Sequence, residues 1–264
     1  MNLIGKPYIS DLQKLKELKA GESINLVLGS GSHKGVAHIA LIEKLEEMNI
    51  NIKSISGCST GALVGSMYAS GIRPQEILKF FQETDLLQFS WLTYSLPGIF
   101  DAYNYKKFLK GTIKDTFEEL NIPLYVNATN MEQGHNRYFN SGDLIDPVLA
   151  SCTIPGIFNP ILIDGELYSD GAVMNGFPLA PLKQFEGKII GSFLHYPSTP
   201  TKKELNTTLK VIKHSRKLAY LAKEEYKFHD TFLTICFPVE HLSSYRNKVV
   251  NKIYKVSKAY LENI

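Results

Sequence analysis

The chain has 264 residues, of which 44% are hydrophobic and 21% charged, and its formal net charge is +3. This length and composition allow one substantial core, so we expect a single domain over residues 1–264. Without a signal peptide or an apolar run near the ~18 residues of a membrane span, the chain is expected to be cytoplasmic. Cys58, Cys152 and Cys236 are too few and too widely spaced for a disulfide framework or a metal cluster. We expect no metal, no cofactor and no nucleic-acid partner.

The first third of the chain alternates between strand and helix patterns. A polar helix around residues 10–19 precedes a buried apolar strand at 24–28, which runs into the glycine-rich turn 29–35. Apolar residues at three- and four-residue intervals predict a helix over 37–48, and a second strand follows at 52–56. This β-α-β-α order predicts a parallel sheet covered by helices on both faces, with the functional loops at the carboxyl ends of the strands.

The second strand leads into Gly57-Cys58-Ser59-Thr60-Gly61, and a helix-forming run of small residues follows it at 62–69. A G-x-S-x-G pentapeptide between a strand and a helix is typical of a nucleophile elbow, in which a sharp turn exposes the serine oxygen. Ser59 is therefore the candidate nucleophile. Cys58 lies next to the exposed position, and we interpret it as a packing residue.

Later strands are predicted at residues 124–128, 189–194 and 232–237. The segment 89–100 is aromatic and aliphatic, has no regular period and is interrupted by Pro97-Gly98. Two interpretations are open for this segment. It either folds onto the core, or forms an apolar wall or lid for an acyl chain. The motifs lie within residues 22–198, and a C-terminal strand and basic helices are expected over 200–264.

The glycine-rich turn 29–35 is suited to hold an oxyanion. It follows the first strand and precedes a helix, so its backbone N–H groups can converge beside the positive end of that helix. Adjacent parallel strands would bring this turn next to Ser59. A dinucleotide-binding loop is the alternative. However, Gly35 comes one place too late for that fingerprint, and no ribose-binding acid follows the second strand at Ser56-Gly57.

A serine nucleophile needs a base. None of the histidines after Ser59 lies in an informative turn, although His195 ends a predicted strand, whereas His214 and His229 fall in a helical stretch that we expect to face solvent. These histidines are His135, His195, His214, His229 and His241. The more informative segment is Tyr168-Ser169-Asp170-Gly171-Ala172, which follows the turn-like Asp164-Gly165.

The glycine-rich turn, the G-x-S-x-G elbow, residues 150–155 and Asp170-Gly171-Ala172 occur in an order that closely resembles the patatin-like phospholipases, over residues 24–194. The resemblance implies an α/β fold with three α/β/α layers and a mostly parallel central sheet. It also implies acyl hydrolysis of phospholipids or lysophospholipids by a Ser59–Asp170 dyad. The family's oxyanion motif falls on residues 30–35, which makes Gly31, Ser32, His33 and Lys34 the candidate oxyanion-hole residues.

Three positions depart from the family pattern. Ser30 and Ser32 stand where glycine is usual, and His33 replaces a small residue. A positive φ at Ser32 would strain the backbone there. Three hypotheses follow: a serine acyl hydrolase with a dyad, a conventional esterase whose base is His195, and a lipid-binding pseudoenzyme whose oxyanion hole no longer functions.

The excess of positive charge is C-terminal, because residues 202–264 contain thirteen Lys and Arg against six Asp and Glu. Lysines recur at helical spacing opposite apolar residues and predict a basic amphipathic helix. The lysines are Lys248, Lys252, Lys255 and Lys258, and the apolar residues are Leu242, Tyr245, Val249, Ile253 and Val256. This helix is either an ordinary surface helix or a site of transient contact with an anionic membrane. The oligomeric state is left open.

Overall fold

The computed structural model describes residues 10–84, 102–195, 200–242 and 247–262. In chain order, the strands are β1 (Ser23–Leu28), β2 (Asn51–Cys58), β3 (Leu124–Asn130), β4 (His135–Phe139), β5 (Ile161–Ile163), β6 (Glu166–Asp170), β7 (Lys188–Phe193) and β8 (Leu233–Cys236). The α-helices are α1 (Val36–Glu47), α2 (Thr60–Ala69), α3 (Pro74–Glu83), α4 (Tyr103–Leu109), α5 (Ile145–Cys152), α6 (Thr208–Glu224) and α7 (Asn247–Glu262).

The strands form one mixed sheet in the order β5-β6-β3-β2-β1-β7-β8, with β4 also paired to β3. The central pairs β1–β2, β1–β7, β2–β3 and β7–β8 are parallel, as predicted. Antiparallel pairs of β3 with β4, β3 with β6, and β5 with β6 complete the sheet. The carboxyl ends of β1 and β2 are therefore neighbours, which places the glycine-rich turn beside the serine elbow.

Each face of the sheet buries its own apolar cluster. In β1, Leu26 and Leu28 pack into the larger cluster together with helices α1, α2, α5 and α7, whereas Val27 points to the opposite face. That second cluster includes Leu221 of α6 and the Phe177 ring. Alternate side chains of a strand point to opposite faces, so the continuous burial of β1 from Ile24 to Leu28 indicates a sheet covered on both sides. The three-layer α/β/α prediction is confirmed.

Two features of the sequence-based assignment need correction. The predicted polar helix 10–19 is a short 3₁₀ helix, Leu12–Glu17. Strands β4, β5 and β6 were not predicted. The predicted turn at Asp164-Gly165 joins β5 to β6, and both residues have positive φ, 54° and 84°, as a tight two-residue hairpin requires. The aromatic segment 89–100 lies outside the described residues, so both interpretations of it stay predictions.

The basic C-terminal helix exists as α7, and Leu242 is not part of it, whereas Tyr245 lies outside the described residues. The Leu242 N–H instead closes a turn on the Val239 carbonyl at 3.0 Å. Ile253 of α7 is fully buried, and the Lys258 ammonium lies 3.1 Å from the Glu43 carboxylate of α1. This helix therefore packs on α1. Within the described segments, no helix has the length and hydropathy that crossing a bilayer requires.

Candidate active site

The serine elbow is a strained turn between β2 and α2. Ser59 has φ 55° and ψ −125°, a positive-φ conformation that is costly for any residue with a Cβ. A Cβ on Gly61 would lie 2.1 Å from the Leu28 carbonyl oxygen, so only glycine lets the elbow lie this close to the end of β1. Ser59 is buried, with 5% of its surface exposed.

The structure brings the Ser59 hydroxyl into contact with Asp170. The Ser59 Oγ donates to Asp170 Oδ2 at 2.8 Å, and the Ala172 N–H donates to Oδ1 at 2.8 Å. Asp170 ends β6, which pairs with β3. A Cβ on Gly171 would lie 2.5 Å from the Asn127 backbone oxygen, so glycine is needed for the chain to pass β3 here. Each residue of the Asp-Gly-Ala motif thus helps to place the carboxylate.

The backbone N–H of Ser59 is already engaged. It donates to Ser151 Oγ at 2.7 Å, and the Ser151 hydroxyl donates in turn to the Asn127 carbonyl at 2.6 Å. Ser151 and Asn127 therefore tie the elbow to α5 and β3. Because this N–H is committed, Ser59 itself supplies no backbone donor for an oxyanion.

The Asp170 carboxyl has an unusual acidity. Burial raises its pKa from 3.8 to about 6, and hydrogen bonds from Ala172, Ser59 and Cys58 oppose that shift. The Cys58 thiol lies 3.9 Å from Asp170 Oδ1, and burial raises the pKa of Cys58 well above its ordinary value, so it is a thiol and a weak donor. At neutral pH the carboxyl is mostly ionised, yet it is a stronger base than an exposed aspartate.

In the glycine-rich turn, only some of the backbone N–H groups are available. Those of Gly29, Ser30 and Lys34 donate to the carbonyls of Ser192, Gly176 and Gly31 at 2.9, 2.8 and 3.2 Å. In contrast, the Gly31 and Ser32 N–H groups bond to no residue in the described part of the chain. These two candidate oxyanion-hole residues keep free donors, whereas the Lys34 N–H is committed.

Ser32 has a positive φ of 52°, a conformation that is strained for a residue with a Cβ. Its carbonyl accepts a 2.7 Å hydrogen bond from Thr60 Oγ1, and its hydroxyl lies 3.2 Å from His33 Nδ1. The other unusual serine, Ser30, lies with its Oγ 2.7 Å from the Tyr220 hydroxyl of α6. Lys34 extends away from the loop backbone to Glu240, at 3.0 Å. Both serines are therefore engaged by neighbouring elements.

Sequence reasoning missed His38, a fully buried residue of α1. Its Nε2 lies 2.8 Å from the Gly29 carbonyl and its Nδ1 lies 2.7 Å from Ser192 Oγ. Burial lowers its pKa to about 4, so the ring is neutral; Nε2–H must donate to the carbonyl, and Nδ1 must accept from the serine. His38 thus holds the start of the glycine-rich turn, and its place in the apolar stripe of a helix conceals this role.

His195 does not contact Ser59 through any hydrogen bond that the described residues make. It bonds to the Ser30 backbone, its ring centroid lies 4.6 Å from that of Tyr220, and burial lowers its pKa to about 3. His214 lies partly buried on α6, and His229 is exposed. In the described part of the chain, no three His, Cys, Asp or Glu side chains are placed to hold a metal ion.

Ser59 lies where two cavities meet. One is a narrow pocket of about 100 Å³, and the other is a wide cleft of about 860 Å³ that Asp170 also lines. The pocket is lined mainly by the apolar side chains Leu63, Phe80, Tyr105, Phe108, Leu109, Val148, Leu149, Ile157 and Phe158. The cleft is bounded by the glycine-rich turn and by α6. An apolar pocket and a cleft that several charged side chains line thus both reach Ser59.

The sheet is mostly parallel, and its second strand ends in a serine elbow with a buried carboxylate next to the serine. These features define an α/β protein with a candidate site built around a serine nucleophile. A family model described as patatin-like phospholipase matches residues 26–183, more than half of the chain, and the chain belongs to that family.

Two relatives illustrate the family. The lysophospholipase NTE1 of Cryptococcus neoformans var. neoformans serotype D is 30% identical over an alignment of 201 residues that covers 67% of this chain and 11% of that protein. An uncharacterized NTE family protein of Mycobacterium tuberculosis is 33% identical over 163 residues, 60% of this chain and 45% of that protein. The chain thus spans less than half the length of these relatives.

Among solved structures, VipD from Legionella pneumophila matches with a TM-score of 0.53 and 14% sequence identity, over 92% of this chain and 67% of that one. At this identity the likeness supports the fold alone.

Proposed function

We propose that the protein is a serine acyl hydrolase that cleaves fatty acyl esters of phospholipids or lysophospholipids. The observation that carries this proposal is the 2.8 Å hydrogen bond from Ser59 Oγ to Asp170 Oδ2, where an apolar pocket meets a cleft lined by charged side chains. Membership of the patatin-like phospholipase family supports it. The pocket would accept the acyl chain, and the alcohol part of the ester would lie in the cleft.

In the first half-reaction, Ser59 Oγ attacks the ester carbonyl carbon while its proton passes to Asp170 Oδ2. The carbonyl oxygen becomes an oxyanion, which the free N–H groups of Gly31 and Ser32 would stabilise. Collapse of this intermediate breaks the bond to the alcohol oxygen. That oxygen takes the proton from Asp170, and the acyl group remains on Ser59.

In the second half-reaction, water attacks the acyl carbon and gives a proton to Asp170. The second tetrahedral intermediate collapses, Ser59 Oγ leaves with the proton returned by Asp170, and the fatty acid is released. Asp170 therefore alternates between base and acid. A pKa of about 6 suits both tasks, because each form is accessible near neutral pH.

The test compares Ser59→Ala, Asp170→Asn and His195→Gln with the parent protein in hydrolysis of p-nitrophenyl butyrate and in labelling by a fluorophosphonate probe. A Ser–Asp dyad predicts loss of hydrolysis in the first two variants only. Loss in His195→Gln together with retention in Asp170→Asn would favour the esterase hypothesis. A folded parent that neither hydrolyses the ester nor reacts with the probe would favour the pseudoenzyme.

The expected contact with an anionic membrane also stays a proposal, and α6 supports it better than α7. The lysine-rich α7 packs on α1, whereas α6 exposes Leu209, Val211, Ile212 and Leu218 by 45–79%. Exposed apolar groups beside basic ones favour an interfacial position. The test is co-sedimentation of the Ser59→Ala protein with vesicles that contain phosphatidylglycerol. Adding Leu209→Ser/Ile212→Ser to this protein should reduce the bound fraction.

A further inference from the structure

The cleft beside Ser59 has a cationic wall. Helix α6 contributes Lys210, Lys213 and Lys217, which follow one another at three- and four-residue intervals and so share one side of the helix, together with Arg216. Lys34 of the glycine-rich turn faces the same cleft. In the described structure, five cationic side chains line it against three carboxylates, of which one is the catalytic candidate Asp170.

The remaining carboxylates leave part of this positive charge unpaired. Glu240 lies between two cations, 3.0 Å from Lys34 and 3.1 Å from Lys217, and a single carboxylate cannot neutralise both. Lys213 and Arg216 form no ion pair with any residue that the structure describes. Burial lowers the pKa of Lys34 despite Glu240, and Lys217 and Lys213 add to the shift. An anion in the cleft would relieve this strain.

The opposite side of α6 shows that its charged residues are distributed unusually for a surface helix. The residues pointing away from the cleft are uncharged, namely Thr208, Val211, Ser215, Leu218 and Ala222. A surface helix ordinarily turns its charged side to water and its apolar side to the protein. Here the cations line the cleft, where Lys210, Lys213 and Arg216 stay exposed, and the apolar side chains on the opposite side of the helix are exposed too. Of these α6 cations, only Lys217 has a charge partner among the described residues, and that partner, Glu240, is shared with Lys34.

We propose that this cleft binds the phosphate group of the substrate, so that the protein selects acyl esters whose alcohol carries a phosphate over neutral acylglycerols. The inference rests on the proposed acyl hydrolysis, which sets where the ester lies relative to the cleft. With the acyl chain in the apolar pocket and the ester carbon at Ser59, the glycerol spacer leads into the cleft, where Lys213 and Arg216 reach the phosphate. Charged hydrogen bonds to phosphate would then contribute to the affinity.

The test compares two substrates that share the same ester, 1-oleoyl-lysophosphatidate and 1-oleoylglycerol, in mixed micelles of a neutral detergent. The parent is expected to prefer the phosphate substrate by about 10- to 100-fold in kcat/KM, through a lower KM. Lys213→Gln/Arg216→Gln should lose most of that preference, and 0.5 M salt should weaken it in the parent by screening. Lys16→Gln/Lys53→Gln is the control, because it removes the same charge from exposed sites away from the cleft.

Binding provides a second measurement that does not depend on catalysis. The Ser59→Ala protein is titrated calorimetrically with hexanoyl-lysophosphatidate, hexanoylglycerol and inorganic phosphate. Tighter binding of the phosphate lipid than of the other two, lost in Lys213→Gln/Arg216→Gln, supports the proposal even if no ester is hydrolysed. Equal binding of the two lipids, an unchanged preference in the double variant, or inorganic phosphate that binds as tightly as the lipid would overturn it. Hydrolysis without preference overturns this inference and leaves the proposed function standing.

Discussion

The hydroxyl of Thr60 donates a 2.7 Å hydrogen bond to the carbonyl of Ser32, which joins the residue after the candidate nucleophile to the glycine-rich turn. A trans peptide points its C=O and the next N–H in opposite directions. By holding the Ser32 carbonyl, Thr60 therefore also sets the direction of the following peptide N–H, that of His33. One side chain thus sets the elbow and the oxyanion segment relative to each other.

Replacing Thr60 with valine keeps the shape of the side chain and removes this donor. We expect kcat for a p-nitrophenyl ester to fall about 10- to 100-fold with little change in KM, because misplaced oxyanion donors act on the transition state. Steady-state kinetics would measure both constants. Thr60→Ser keeps the hydroxyl and should recover most of the rate; an equal loss in both variants would indicate that the methyl group, and not the hydrogen bond, matters.

The pH dependence of hydrolysis should report Asp170. The base must be ionised to accept the Ser59 proton, so kcat/KM should fall about tenfold per pH unit below a midpoint near pH 6, where the pKa of Asp170 lies. Cys58 donates weakly to this carboxylate. Cys58→Ala should move the midpoint to higher pH, and Cys58→Ser, a stronger donor, should move it to lower pH. Midpoints that move in the same direction would argue against this coupling.

The same carboxyl should destabilise the folded protein. Its pKa is 3.8 before burial and about 6 after it, so the folded state binds the proton more tightly, and stability falls as pH rises between these values. At pH 8, Asp170→Asn should therefore raise the free energy of unfolding, by up to roughly 3 kcal/mol. Below pH 4 the difference should vanish. Urea unfolding at several pH values measures it, with Asp11→Asn, an exposed carboxyl, as a control that should change little.

The serine at position 30, where the family usually has glycine, holds the glycine-rich turn on helix α6. Its Oγ lies 2.7 Å from the Tyr220 hydroxyl, so Ser30→Ala and Tyr220→Phe should each destabilise the protein by about 1 kcal/mol. Because both remove the same hydrogen bond, the double variant should cost less than the sum of the two. Thermal unfolding of the four proteins gives the coupling. Restoring the family residue, Ser30→Gly, should lower turnover; an increase would favour a damaged oxyanion hole.

The positions of β1, α1, β2 and the elbow could be predicted because their evidence is local. Apolar runs, a helical repeat and a glycine-bounded serine all lie within 24–69. Asp170 could be predicted only from the order of several motifs along the chain, because the residues next to it resemble an ordinary turn. The hairpin β5–β6 that carries it consists of strands of three and five residues, too short for a clear alternating pattern.

The supporting contacts could not be predicted, because each joins residues far apart in the chain. His38 bonds to Ser192 across 154 positions, and the Ser59 N–H bonds to Ser151 across 92. In sequence, a histidine within an apolar helical stripe and a serine near a helix end are unremarkable. The fold gives these residues a role because it pairs strands that are distant in sequence. Those contacts cannot be recognised from a short stretch of sequence.

The central position of strand β3 determines when the active site can form during folding. It pairs with β2 on one side and with β6 on the other, and its Asn127 carbonyl anchors the serine that holds the elbow. Ser59 and Asp170 are separated by 111 positions, and they can meet only after β3 has been inserted between their strands. Loop closures of this length are slow, since the entropy is lost before the contacts form. During refolding, enzyme activity should therefore return last, after most of the secondary structure.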